Sequence, residues 1–139
     1  MDHLLSTTMR RHFRFENLEI WQEAIAIGLM FFDIADELEA KKLWRFADQC
    51  RGVGMSIPNN ISESTGTSML GEQQQLLRYA KRECFEGANI VIMLHLRNLI
   101  LTSKKEEMYE RLEILSRRIE TYSKKLAKEY SQKSSTTKP

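Results

Sequence analysis

One proline, Pro58, interrupts this chain before its last residue, and only six glycines occur in 139 positions. A chain so short of punctuating residues is built from long uninterrupted elements. It has no run of about 18 apolar residues, so no membrane span is expected. Met1 to Arg14 has no apolar centre and does not read as a secretory signal. Cysteine is limited to Cys50 and Cys84, far apart. Without an export signal they read as reduced thiols in a cytoplasm, each a small residue on an apolar stripe. His3, His12 and His95 are scattered, with His95 among apolar neighbours as a core or interface residue. Two cysteines without clustered histidines do not make a zinc site. P-loop, dinucleotide and nucleophile-elbow glycine patterns are absent, as are H-E-x-x-H and Glu-x-x-His pairs. Neither an enzyme nor a cofactor is expected.

Helical periodicity is plentiful. α1 is expected from about Asn17, as N-cap, to about Glu37. It carries two apolar stripes: Leu18, Trp21, Ile25, Gly28, Phe32 and Ala35, and Ile20, Ala24, Ile27, Phe31, Ile34 and Leu38. One stripe suffices for a peripheral helix of a monomeric bundle. Two point to a second buried face, against another subunit; the alternative is one wide face in a large core. α2 is expected from about Leu43 to Glu63. Leu43, Ala47, Cys50, Gly54, Ile57 and Ile61 keep a four-three spacing straight through Pro58. A proline ring presses on the carbonyl four residues back, here Gly54, which adds no side chain to the crowding. A kinked but continuous helix is expected, with a break at Pro58 as the alternative.

α3 is expected from about Met69, with Ser68 as cap, to Leu101. Its stripe is Leu77, Ala80, Cys84, Gly87, Val91 and Leu94. The small middle of that stripe would admit a close neighbour, and Gly52 and Gly54 of α2 would suit the approach. Beyond Ala88 the helix is apolar nearly all round, which again favours burial against a second copy. α4 is expected from Ser103, which with Glu106 has capping-box spacing, to about Tyr130. It follows the heptad Met108, Leu112, Leu115, Ile119, Tyr122, Leu126. Four long helices with short turns give an all-α, antiparallel up-down-up-down four-helix bundle. Residues 1–14 read as a flexible basic extension, 15–130 as the bundle, and 131–139 as a disordered polar tail.

Charge is uneven. From Arg97 to Pro139 there are eleven Lys and Arg against six Glu, a net of +5; from Trp21 to Leu96 seven stand against ten, a net of −3. Arg10, Arg11 and Arg14, with Arg111, Arg117, Arg118, Lys124 and Lys125, are candidate contacts to RNA or DNA phosphates. The competing reading is a solvated α4 face with Glu partners, and an N-terminus whose last aromatic docks on the bundle. A polar seam, Gln49, Ser56, Asn60 and Glu63, runs beside the apolar stripe of α2, with Glu86 of α3 expected near its Gln49 end. It reads as a hydrogen-bond network that sets helix register; a ligand-facing polar pocket is the alternative.

Phe15 to Ala24, Asp48-Gln49 with Ser56 to Glu63, and Arg78-Tyr79-Ala80 with Glu86 carry a resemblance. They resemble the four-helix-bundle proteins encoded in intervening sequences of bacterial 23S ribosomal RNA genes, over roughly Phe15 to Leu126. The resemblance implies a homo-oligomeric ring, commonly a pentamer, without a settled molecular function. It extends to the accessory proteins of diversity-generating retroelements, which associate with reverse transcriptase and bind nucleic acid. Two departures stand out: Thr67 replaces a usual arginine, and Arg82-Glu83 replaces a common Gly-Ser pair, which is expected to change local packing or surface charge. Together these readings describe a non-enzymatic oligomeric bundle that binds nucleic acid, or else a protein–protein adaptor or structural ring.

Overall fold

A computed structural model describes residues 12–136. Arg10, Arg11 and the rest of the expected extension before His12 lie outside it, as do residues 137–139 of the expected tail. A 3-10 turn, Arg14–Asn17, leads into four helices: α1 (Glu19–Ala40), α2 (Trp44–Ser64), α3 (Leu70–Leu96) and α4 (Thr102–Thr136). Among the described residues there is no strand. The protein is an all-helical four-helix bundle.

The apolar spacing explains the packing. The inner stripe of α1, from Ile20 to Leu38, is buried throughout. Ala47, Cys50, Ile57 and Ile61 of α2 join it, with Leu77 to Leu94 of α3 and Met108 to Ile119 of α4, in a single core. Residues three and four apart lie on one side of a helix, so each stripe becomes one wall. Cross-helix partners run in opposite orders between α1 and α2 and between α3 and α4. Gly28 meets Gly54 while Asp36 and Glu39 meet Arg51. Ser56 meets Glu83; Lys81 meets Glu120 while Gly87 meets Leu112.

α2 passes through Pro58 without a break, and the ring is buried. Proline has no N–H, so the Gly54 carbonyl loses its usual helical donor. That carbonyl faces α1: a Cβ on Gly28 would lie 2.5 Å from it, and a Cβ on Gly54 would lie 3.1 Å from the Gly28 carbonyl oxygen. The glycines of α2 therefore do not serve α3 as expected. Gly54 serves α1, and Gly52 faces open space. Gly87 of α3 instead makes room for the Phe31 ring and for Leu112.

Several helix ends differ from expectation. Asn17 does not cap α1; Leu18 holds the cap position, and the Asn17 amide nitrogen lies 2.9 Å from His12 Nε2. Phe15 packs on Trp21, ring centroids 5.0 Å apart, so this aromatic does dock on the bundle. α3 ends at Leu96, not Leu101, and α4 starts at Thr102. The reason is a left-handed residue in the turn. Asn98 has φ 60°, its N–H bonds the His95 carbonyl, and the Leu99 N–H bonds the Leu94 carbonyl. This is a Schellman stop. The same stop ends α1 at Lys42, φ 62°, with bonds to Glu39 and Leu38.

Ser103 lies inside the first turn of α4, and Glu106 pairs with Lys105 Nζ at 3.1 Å, so that capping box does not form. Before α3, Met69 rather than Ser68 holds the cap position, and Thr67 braces the approach. Its hydroxyl accepts from the Met69 N–H at 3.2 Å and donates to Glu72 at 3.0 Å. α4 runs on to Thr136, well beyond Tyr130. His95 is half-buried and lies 2.9 Å from the Thr102 hydroxyl, tying α3 to α4.

The second stripe of α1 is covered only in part. Gly28 and Ala35 are buried, while Leu18, Trp21, Ile25 and Phe32 are half-buried. With Met55 and Pro58 of α2 they border an apolar groove of about 310 Å³. On α3, Met93 and Leu96 stand exposed despite the all-round hydrophobicity of that segment, as does Leu101 in the turn that follows. Among the described residues no helix is long and apolar enough to cross a membrane.

Candidate nucleic-acid cleft

Most of the expected phosphate contacts are scattered. Arg111 ties α4 to α1, 3.7 Å from Glu23 and with Nη1 3.4 Å from Met30 Sδ. Arg117 pairs with Glu113 one turn away, as the solvated-face reading expected. Arg118 and Lys124 stand exposed on α4. Of the expected contacts among the described residues, only Arg14 and Lys125 come together. They share a cleft of about 740 Å³ with Lys133 and the rings of Tyr122 and Tyr130.

Three segments build this cleft. Arg14 projects from the 3-10 turn, and its Nη2 donates to the Thr65 carbonyl at 3.2 Å. That bond caps the end of α2 with a cation, where the helix dipole is negative. The turn Thr65 to Ser68 forms a second wall, held by Gln73 Nε2 donating to the Thr67 carbonyl at 2.8 Å. α4 supplies the third: Tyr122, Lys125, Leu126, Glu129, Tyr130 and Lys133 follow helical spacing and line one side. Leu18 and Leu126 add an apolar floor. Lys125 lies 4.0 Å from Glu129. The Tyr122 phenol is pushed up by burial, with Arg14 close enough to pull it partly back, so it remains protonated at neutral pH.

Tyr130 and Lys133 were not singled out from the sequence. Lys133 fell in the expected tail, beyond the last apolar heptad position. The available signal was the continuation of the Tyr122 spacing to 126, 129, 130 and 133.

The polar seam resolves into a smaller cluster. The Ser56 hydroxyl donates to Glu83 Oε1 at 3.0 Å, and Asn60 Nδ2 donates to the Ser56 carbonyl at 2.9 Å. Asn60, Tyr79, Arg82, Glu83 and Glu86 line one shallow recess. Gln49 and Glu63 are exposed and are not part of it. Glu86 lines that recess beside Glu83. One turn apart on α3, the two carboxyls interact, and Glu83 Oε2 is buried without a hydrogen-bond partner. The Glu86 carboxyl is pushed up to about 7, by its hydrogen bond with Glu83, then burial, then the Glu83 charge. A protonated Glu86 carboxyl can donate to Glu83 and relieves the repulsion between the two like charges. Sequence reading had noticed Glu83 only as a departure from the family pattern. Among the described residues no group of three or more His, Cys, Asp or Glu could hold a metal ion.

Residues 16–121 match the family described as 23S rRNA-intervening sequence protein. The chain belongs to that family. No curated protein and no solved structure matches it. In this 23S rRNA-intervening sequence protein, the Ser56–Asn60–Glu83–Glu86 cluster lies inside the matched range. Arg14, Tyr122, Lys125, Tyr130 and Lys133 lie outside it. The cations and tyrosines of the cleft thus lie outside the matched range, while its Thr65 to Ser68 wall lies inside it.

Proposed function

We propose that this protein is a non-enzymatic, cytoplasmic, ring-forming bundle that binds nucleic acid, RNA in the first place, through the cleft at one end. The gathering of Arg14, Lys125 and Lys133 around two tyrosines carries the reading. Cations neutralise phosphates and aromatic rings take unstacked bases. The opposite orders of cross-helix partners support an antiparallel up-down-up-down bundle, with α2 kinked where Pro58 removes a helical bond. Buried free cysteines suit a reducing compartment: burial pushes the Cys50 thiol up to about 11 and the Cys84 thiol up to about 12.

Two apolar surfaces that share no helix support the ring. The α1/α2 groove is bordered by Trp21, Ile25, Phe32 and Met55, and the α3/α4 groove by Phe85, Ala88, Ile92 and Tyr109. Met55 is 51% exposed and Phe85 63%. Unlike surfaces that fit each other join head to tail and form a ring when the rotation between copies closes. The family resemblance makes five the expected number of copies.

Titrating labelled RNA at two salt concentrations tests the binding. Three phosphate contacts predict that affinity for a single strand falls about 20-fold between about 50 mM and about 200 mM salt. Absence of RNA and DNA binding even at low salt overturns it. The exposed apolar grooves would then favour the second reading, an adaptor ring whose partner is a protein. A reverse transcriptase is the partner to try first under the retroelement resemblance.

A further inference from the structure

We infer that the cleft between the 3-10 turn and the end of α4 selects unpaired nucleotides over duplex. This deepens the nucleic-acid reading and rests on it. Three observations carry it. The cleft is concave, about 740 Å³, within the range of small-molecule sites and large enough for a nucleotide unit. A paired base is stacked on both faces inside the helix and cannot enter such a recess; an unpaired one can swing in. Tyr130 is 54% exposed on the cleft wall, which leaves its ring available to a base.

The third observation is the modest charge. Arg14, Lys125 and Lys133 are opposed by Glu129, so these four residues sum to +2. Duplex binding without base contacts depends on phosphate neutralisation alone. Two net charges supply little of it, so stacking decides which form is held. Arg14, anchored on the Thr65 carbonyl, and Lys125, beside Glu129, line the same cleft and offer a phosphate two cations there. The site thus joins one phosphate locus to one aromatic wall, which fits a strand end, loop or bulge.

The test compares fluorescence anisotropy of a labelled RNA of about ten nucleotides, single-stranded and as a duplex, at low salt. The full-length protein, Tyr130→Ala, Tyr130→Phe and Lys125→Ala are used, with helicity checked by circular dichroism. The wild type is expected to prefer the single strand by roughly tenfold or more. Tyr130→Ala should abolish most of that preference and leave duplex binding unchanged, while Tyr130→Phe, which keeps the ring, retains it. Lys125→Ala should weaken both forms and flatten the salt dependence. If RNA binds but the two forms bind equally, or Tyr130→Ala leaves the preference intact, the unpaired-nucleotide site is wrong and the nucleic-acid reading survives. If neither form binds, both are wrong.

Discussion

Gly28 and Gly54 bring α1 and α2 together backbone to backbone. A methyl group on Gly28 would lie 2.5 Å from the Gly54 carbonyl oxygen, and backbone atoms cannot rotate out of the way. Gly28→Ala should therefore destabilise the fold by about 1–3 kcal/mol despite the better helix propensity of alanine. Gly52 is the internal comparison, since nothing lies within 4 Å of its added Cβ. Gly52→Ala should stabilise by about 0.5–1 kcal/mol. Urea denaturation at one fixed protein concentration reads both, and equal effects at the two positions would contradict the crossing. The Glu83–Glu86 pair makes a pH prediction. The Glu86 carboxyl titrates at about 7 in the folded chain, above its ordinary value of 4.5. A raised acid favours the folded state when protonated. Its contribution is whole below about 4.5 and is lost as pH rises through about 7. Tyr79 and Arg82 share the recess, and Ser56 and Asn60 face it from α2. Glu86→Gln stays neutral, so the variant should lose less stability across that window and exceed the wild type in mildly alkaline buffer. Thermal melts over the range check this, and parallel pH profiles for the two proteins would refute the raised titration of Glu86.

The helices illustrate what periodicity reveals and what it hides. The inner stripes were legible because spacing of three and four maps directly onto a wall, and α2 could be read through Pro58 for the same reason. Ends were harder. α1 and α3 stop at Lys42 and Asn98, which take left-handed φ of 62° and 60° without being glycine. With no glycine to mark it, the end of α3 was read five residues late, at Leu101. The Gly28–Gly54 crossing was hidden because it depends on inter-helix register. The Glu83–Glu86 spacing was visible, but the burial of Glu83 Oε2 arises only from packing. Lys133 lies past the last apolar position, where the amphipathic signal fades. These stops can be improved. A non-glycine residue in the left-handed region costs on the order of 1–2 kcal/mol, partly offset by the rigidity glycine gives up. Lys42→Gly and Asn98→Gly should each stabilise, by up to about 1 kcal/mol for Lys42 and less for Asn98, since asparagine tolerates the conformation better. Denaturant midpoints decide, and a loss at either site would mean that its side chain contributes more than the backbone relief.

At the scale of the whole molecule, the proposed ring turns on whether the two apolar surfaces join like to like or unlike to unlike. The α1/α2 groove and the α3/α4 groove sit on different helix pairs, and each leaves large apolar side chains in water. These are the surfaces that the proposed ring would bury. A two-fold dimer needs only one of them, used twice, whereas a head-to-tail ring uses both in every copy. Met55→Lys damages the first and Phe85→Lys the second, both at exposed positions that leave the core untouched. A lysine forced into an apolar contact cannot keep its hydration. In a head-to-tail ring each substitution alone should reduce the protein to its 16.3 kDa chain. In a like-to-like dimer only one of them should. Mixing the variants separates the cases further. The Met55→Lys chain keeps an intact α3/α4 surface, and the Phe85→Lys chain keeps an intact α1/α2 surface. These two surfaces can recombine once, giving a one-to-one pair whose outer surfaces are both spoiled and which therefore cannot grow. Light scattering of the mixture should show that pair and nothing larger. If the mixture stays monomeric while the wild type is oligomeric, the two grooves are not each other's partners, and the ring is held by another surface of the bundle.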